Sequence, residues 1–176
     1  MNGLPPMMSS SMERVTGGRI VRCDIPQIQQ VFSMHAFPAR ISDFMSTHHV
    51  LSLAVVDGDT PWSASCFYAF EPNTASVLVM TSVKTRHGHA MQSRPIVSAT
   101  VSEQPERLRD IRGVQFSAFA SRLSGAELEA AMDRYLIRHP VARLRPTDLW
   151  RLSIEHIKLT DNSLVFARKT IWQRDE

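Results

Sequence analysis

The chain has 176 residues, 43% of them hydrophobic, with a formal net charge of +3 and two cysteines. That length buries a core in one compact unit, and Cys23 and Cys66, with no CxxC spacing, argue against a disulfide framework and for a reducing cytoplasm. No apolar run spans a bilayer, no signal-peptide layout opens the chain, and basic residues are not interleaved with aromatics, so neither membrane nor nucleic acid is an expected partner.

Residues 1–33 spread Pro5-Pro6, Ser9-Ser10-Ser11 and Gly17-Gly18 among few periodic apolar positions, the composition of a flexible N-terminal extension. One expectation places the natural start at Met12 or Met34. From Ala36 the spacing of Phe37, Ile41, Phe44, Met45 and His48 predicts a helix, with Pro38 near its start. Val50 to Val56 reads as a strand, Asp57-Gly58-Asp59-Thr60-Pro61 as a hairpin turn, and Trp62, Ala64, Cys66, Tyr68 and Phe70 as the apolar face of the next strand. Glu71-Pro72-Asn73-Thr74 turns the chain into a strand from Ala75 to Thr81.

Hydroxyls and basic groups then crowd the start of a short helix at Met80-Thr81-Ser82-Val83-Lys84-Thr85-Arg86-His87-Gly88-His89. A helix start leaves N–H groups unpaired and carries partial positive charge, so this stretch reads as a phosphate seat or as a solvated basic face. Strands follow from Ile96 to Val101 and from Ile111 to Leu123, where Gly113 reads as a bulge or a close ligand approach. Ser124-Gly125-Ala126-Glu127 has capping-box form for a helix through Leu128, Ala131, Met132, Tyr135 and Leu136, ended before Pro140. A strand from Trp150 towards Leu159, a turn at Thr160-Asp161-Asn162-Ser163 and a return at Leu164 to Phe166 complete the chain. Short strands with hairpin signals and two to three helices predict a mainly β, α+β fold, a small antiparallel barrel.

The hydroxyl at a strand end, Lys84-Thr85-Arg86-His87, the short helix and the Pro95-led strand resemble the pyridoxamine 5'-phosphate oxidase-like, FMN-binding split-barrel family. Together with Arg112-Gly113-Val114-Gln115-Phe116, His139-Pro140-Val141-Ala142-Arg143 and Thr160-Asp161-Asn162, they are most similar to an uncharacterised bacterial branch of it. The resemblance covers 34–176, and implies a split-barrel domain there and a homodimer with FMN in a groove between subunits. Position by position, it implies that Thr85, Arg86 and His87 grip the FMN phosphate with Thr81, beside Ser82 and Lys84. His87 replaces the usual lysine, so phosphate binding would weaken as pH rises through the histidine range. Lys84 can compensate, or can be a solvated surface lysine.

The resemblance also places the flavin ring along Ser63 to Phe67, with Ser65, Cys66 and Phe67 at the cofactor. The family's phosphate-binding arginine in that strand is absent. Arg112 resembles a family arginine, Gly113 replaces the oxidases' glutamine, and Gln115 can stand in for it. Arg168, Lys169 and Trp172 reach towards the neighbouring subunit's flavin, or Trp172 anchors packing. No carboxylate pair, Ser/His/Asp arrangement or P-loop is present, His48-His49 and His87-x-His89 lack metal-ligand spacing, and no catalytic side chain is assigned. The leading expectation is therefore an FMN-dependent oxidoreductase acting on an unidentified small molecule. The alternative is a non-catalytic protein that binds or senses flavin or haem.

Overall fold

The computed structural model describes residues 37–162 and 168–174. The expectations for 1–33 and for a return at Leu164 to Phe166 lie outside these residues. The elements run α1 (Ala39–Thr47), β1 (Val50–Asp57), β2 (Thr60–Glu71), β3 (Ser76–Met80), α2 (Arg86–Ser93), β4 (Ile96–Ser102), β5 (Arg112–Arg122), α3 (Gly125–Arg138), β6 (Leu149–Asp161) and β7 (Arg168–Gln173). All pairings are antiparallel in the order β3-β2-β1-β4-β5-β6-β7, and β3 also pairs with β6, closing six strands into a barrel. This is the small antiparallel α+β barrel that the strand and turn pattern predicts, in the split form that the family resemblance implies.

Strand β6 is where the barrel splits. One of its edges pairs with β3 through Leu149 to Ser153 and with β7 through His156 to Asp161. Between these halves the register against β5 shifts at Ser117/Ala118, leaving Glu155 as the extra residue. An extra residue bends a strand and increases its twist, which lets one edge serve two neighbours.

Alternation in β1 and β4 buries Leu51, Leu53, Val55, Val97, Ala99 and Val101, and these meet Val77, Val79, Phe116, Trp150, Leu152 and Ile154 inside the barrel. Helix α1 adds Ile41, Phe44 and Met45 to this core, and α2 adds Ala90 and Met91. Burying a side chain such as Met91 contributes about 1.5–3 kcal/mol, which fixes the short α2 against the barrel. Helix α3 covers the outside, packing Ala131 and Tyr135 on Ala69, Leu78 and Leu149. Strand β3 is therefore apolar on both faces, as its unbroken Val77-Leu78-Val79 run requires.

Four sequence expectations are corrected here. Gly113 is no bulge: it stays in register opposite Ser102 and Thr160, and glycine fits because a β-carbon would come within 3.0 Å of the Val101 carbonyl oxygen. Ser124 starts α3 without a side-chain cap bond, and Glu127 of the would-be capping box accepts from Arg151 instead, at 3.1 Å. Thr160 and Asp161 continue β6, and are held there by pairing with Lys169 and Arg168. Trp62, assigned to the apolar face, is 40% exposed at the barrel's end.

The outer face of β2, β1, β4 and β5 carries rows Ser65–Ser52–Thr100–Gln115 and Ser63–Ala54–Ser98–Ser117. No charged side chain stands in these rows. Exposed Val50 and Phe67 border them on one side and exposed Ile96 and Phe119 on the other.

Candidate functional site

The loop from Thr81 to Thr85 joins β3 to α2, and its shape is set by hydrogen bonds. Thr85 is the N-cap: its hydroxyl accepts from Gly88 N at 3.1 Å and donates to the Ser82 carbonyl at 2.7 Å. Thr81, 8% exposed, places its hydroxyl 2.6 Å from His87 Nε2 and 3.4 Å from Thr85 Oγ1. Trp150 Nε1 donates to the Thr81 carbonyl, at 3.0 Å. Three of the residues singled out in the sequence, Thr81, Thr85 and His87, thus form one connected cluster.

Two donors beside that cluster remain open. The backbone N–H groups of Arg86 and His87, in the first turn of α2, have no acceptor among the described residues. Lys84 is exposed, with no ion-pair partner among the described residues. Arg86 is engaged elsewhere: its Nε lies 2.7 Å from Asp57 Oδ2, and its guanidinium sits 4.4 Å from the Trp62 ring centroid. The hairpin tip between β1 and β2 therefore holds the arginine beside the helix start. Ser82 accepts from Lys84 N at 3.2 Å, which tightens the loop rather than leaving that hydroxyl free.

Burial lowers the His87 pKa, so the imidazole is neutral at neutral pH. The cations at this helix start are Arg86 and Lys84, and the lowered pKa shifts any pH effect of the lysine-to-histidine replacement towards acid.

Asp148 braces the loop from outside. Its Oδ2 accepts from Val83 N at 2.7 Å and its Oδ1 from Arg122 at 2.6 Å. The Val83 amide, and secondarily Arg122, hold its carboxyl below the ordinary value of 3.8 against the opposing effect of burial. A folded pKa below the unfolded one gives stability that is complete above 3.8 and is lost as pH falls from there through the folded value. Asp148→Asn should therefore be less stable than wild type at pH 7, with the gap closing in that acid window. Urea denaturation of both proteins across the window checks it, and a gap that does not change with pH would contradict the assignment.

Along β2 the main chain alternates. Tyr68 N donates to the His49 carbonyl, so Cys66 shares that β1-facing orientation while Ser63, Ser65 and Phe67 direct their main-chain groups to the other side. Strand β3 pairs with β2 at Tyr68 to Glu71, so among the described residues the Ser63 and Ser65 main-chain groups line an open edge. Phe67 O receives the Tyr135 hydroxyl at 3.4 Å. The side chains of Ser65 and Phe67 are exposed, while that of Cys66 is buried in the core, and burial pushes its thiol up to about 11. A thiol so placed is neither a nucleophile nor a surface contact, and with its main-chain groups paired to Leu51 of β1, Cys66 presents nothing to the other edge of β2.

Gln115 and Arg168 are not brought to this cluster within one chain. Gln115 stands three strands from Ser65 in the same row, about 14 Å away at ordinary strand spacing. Arg168 opens β7 opposite Asp161, and its side chain is outside the described residues. Arg112 instead makes ion pairs with Asp161 and Glu103, each at 3.5 Å. Trp172 is buried against Phe37, as a packing anchor.

No protein-family model matches the chain. A curated relative, the UPF0306 protein of Haemophilus ducreyi, is 41% identical over 143 residues, covering 80% of this chain and 98% of the relative. The chain belongs to the UPF0306 family. Among solved structures, this UPF0306 chain is similar to the haem binding protein from Mycobacterium smegmatis, with a TM-score of 0.64 at 17% identity, covering 80% of this chain and 63% of that one. It is also similar to an FAD-binding protein from Mesorhizobium loti, with a TM-score of 0.58 at 16% identity, covering 69% of this chain and 91% of that one. At such identities the likeness is one of fold.

Sequence reading missed several residues of this UPF0306 site. In the sequence Asp57 reads as part of a turn and Trp62 as part of an apolar strand face, and Asp148 carries no local signal. Each reaches the helix start only through tertiary contact, Asp148 from 65 positions away. The one signal available was the excess of cations at 84–87, which calls for an acidic counterpart somewhere in the fold.

Proposed function

We propose that this UPF0306 protein binds FMN and acts as a flavin-dependent oxidoreductase on a small molecule, working as a homodimer with the flavin at the subunit interface. The observation that carries the reading is the helix start itself. Two open backbone amides and Arg86 meet there beside the β2 edge that is unpaired among the described residues, with Lys84 exposed in the preceding turn. Amides at a helix N-terminus and a guanidinium suit a phosphate monoester, and an open strand edge suits the polar rim of a flat ring.

When bound, FMN supplies the hydride-transfer chemistry. The chain's own residues supply position. Arg86, paired here with Asp57, would hold the phosphate together with the open amides of Arg86 and His87. Thr81 and Thr85 hold the loop through which these groups are presented, while Ser63 and Ser65 offer main-chain donors and acceptors to the ring.

The uncharged rows on β2, β1, β4 and β5 support the dimer, because desolvating serine, threonine and alanine costs far less than desolvating charge. A second copy laid on this face would bring its own Gln115 and C-terminal strand towards the first copy's β2. Light scattering of the purified protein checks the dimer, and a monomer at micromolar concentration counts against it.

The deciding experiment is the visible spectrum after incubation with FMN and dialysis. A retained two-banded flavin spectrum is expected. Arg86→Ala removes a charge-assisted contact and should weaken FMN binding about tenfold, read from quenching of flavin fluorescence. Equal affinity in that variant would remove the seat from the reading.

A second reading is a non-catalytic protein that binds flavin or haem. Its support is the fold likeness to a haem binding protein, together with a site whose nearby thiol is inert and whose histidine is tied to Thr81. A sharp haem band, or a bound flavin that no nicotinamide reduces under anaerobic conditions, would favour it.

A further inference from the structure

At the opposite end of β2 from the helix start lies a groove of about 530 Å³. Along β2 the groove begins at Ala69, roughly 23 Å from Trp62 beside the helix start but only two positions beyond Phe67, so it lies apart from the phosphate seat and borders the ring-facing edge. It opens between the end of α1, the turn at Pro72–Thr74 and one face of α3. We propose that this groove is a second ligand site, and that it binds a small organic anion, a carboxylate or phosphate monoester carried on a flat apolar body.

Charge decides the sign of the ligand. Arg134 and Arg138 stand four residues apart on the α3 face that borders the groove. The Arg134 charge is cancelled: its Nε meets Glu71 Oε1 at 2.5 Å. Arg138 has no carboxylate partner among the described residues. Its hydrogen bonds run from Nη2 to the Ser46 and His48 carbonyl oxygens, at 3.0 and 3.3 Å. Those two bonds aim the guanidinium and leave its remaining N–H groups unpaired among the described residues, which suits a planar carboxylate or a phosphate.

The rest of the lining suits the remainder of such a ligand. Half-buried Phe70 and exposed Pro72 give apolar surface for a flat body, over the buried Met45 and Ala69. The exposed Asn73 amide, with no partner among the described residues, stands ready as a neutral donor. A concave apolar surface with a few convergent polar groups is the usual form of a small-molecule site, and the volume fits a ligand of one or two rings.

The test uses 1-naphthyl phosphate and 1-naphthoate as fluorescent probes of the two anion types, with 1-naphthalenemethanol as the uncharged control. Saturable binding of at least one anion is expected, with binding of the alcohol at least about tenfold weaker. Arg138→Gln should weaken the anion about tenfold, and Asn73→Trp, which fills the groove from the Pro72–Thr74 turn, should abolish binding. Asn73→Trp leaves Arg138 and the two carbonyls that aim it in place, so a folding defect specific to Arg138→Gln cannot mimic the result. Arg86→Ala should not change probe binding, and Asn73→Trp should not change FMN binding. The groove and the flavin seat therefore fail separately. Absence of saturable binding to wild type, or unchanged affinity in both groove variants, would overturn the proposal.

Discussion

Replacing Glu71 by alanine is expected to lower the stability of the fold by about 3 kcal/mol. The carboxylate is 10% exposed and joins three elements. Its Oε1 takes Arg134 of α3, and its Oε2 takes the hydroxyl of Ser76 of β3 at 2.9 Å and Arg151 of β6 at 3.3 Å. Removing it leaves fully buried Ser76 with one hydroxyl neighbour, Thr74, at 2.8 Å. It also leaves Arg151, 19% exposed, with the exposed Glu127 as its one acidic partner among the described residues. The loss is dominated by those stranded groups rather than by the pair to Arg134, whose side chain is 48% exposed and screened by solvent. Arg134→Ala should accordingly cost less than about 1 kcal/mol. Urea titrations of both variants, with the m-value tracked, separate the two cases. Equal small losses would mean that the carboxylate is hydrated, and would overturn this account of Glu71.

The second large effect is expected at Gly88. A β-carbon there would lie 2.2 Å from the Ser82 carbonyl oxygen and 3.0 Å from Thr85 Oγ1. The nearest obstacle is backbone, so no rotamer change relieves it, and the loop from Ser82 to Thr85 must move off the first turn of α2. That movement breaks the Gly88 N to Thr85 cap and disturbs the Thr85 bonds to the Ser82 carbonyl. Overpacking and a lost cap together give about 3 kcal/mol for Gly88→Ala. The variant also probes function, because the same movement displaces the Arg86 and His87 amides. FMN retention should fall with stability. A Gly88→Ala protein that is destabilised yet binds FMN as wild type does would separate the loop from the cofactor.

Much of the barrel was legible because its strands are half-buried. In β1, Leu51, Leu53 and Val55 alternate with Ser52 and Ala54, and such period-two burial follows from one face being wet and the other dry. Helix α3 was equally plain from Leu128, Ala131 and Tyr135 at helical spacing. Where local chemistry competed with tertiary contacts, the reading failed. Glu127 was offered to a capping box and went to Arg151, and Gly113 was offered to a bulge that the fold places at Glu155.

The same division runs through the site. Residue type and spacing were enough to single out Thr81, Thr85, Arg86 and His87 and to start a helix among them, because capping is a local hydrogen bond. Residue type also set the family resemblance that points to flavin. Only the tertiary structure decided that His87 is neutral, that Arg86 is held by Asp57 over Trp62, and that Asp148 pins the loop. Burial and ion pairing depend on which strands become neighbours, and strand order is a long-range property. For the same reason the Arg138 groove, assembled from α1, the Pro72–Thr74 turn and α3, has no signature in any single stretch of the chain.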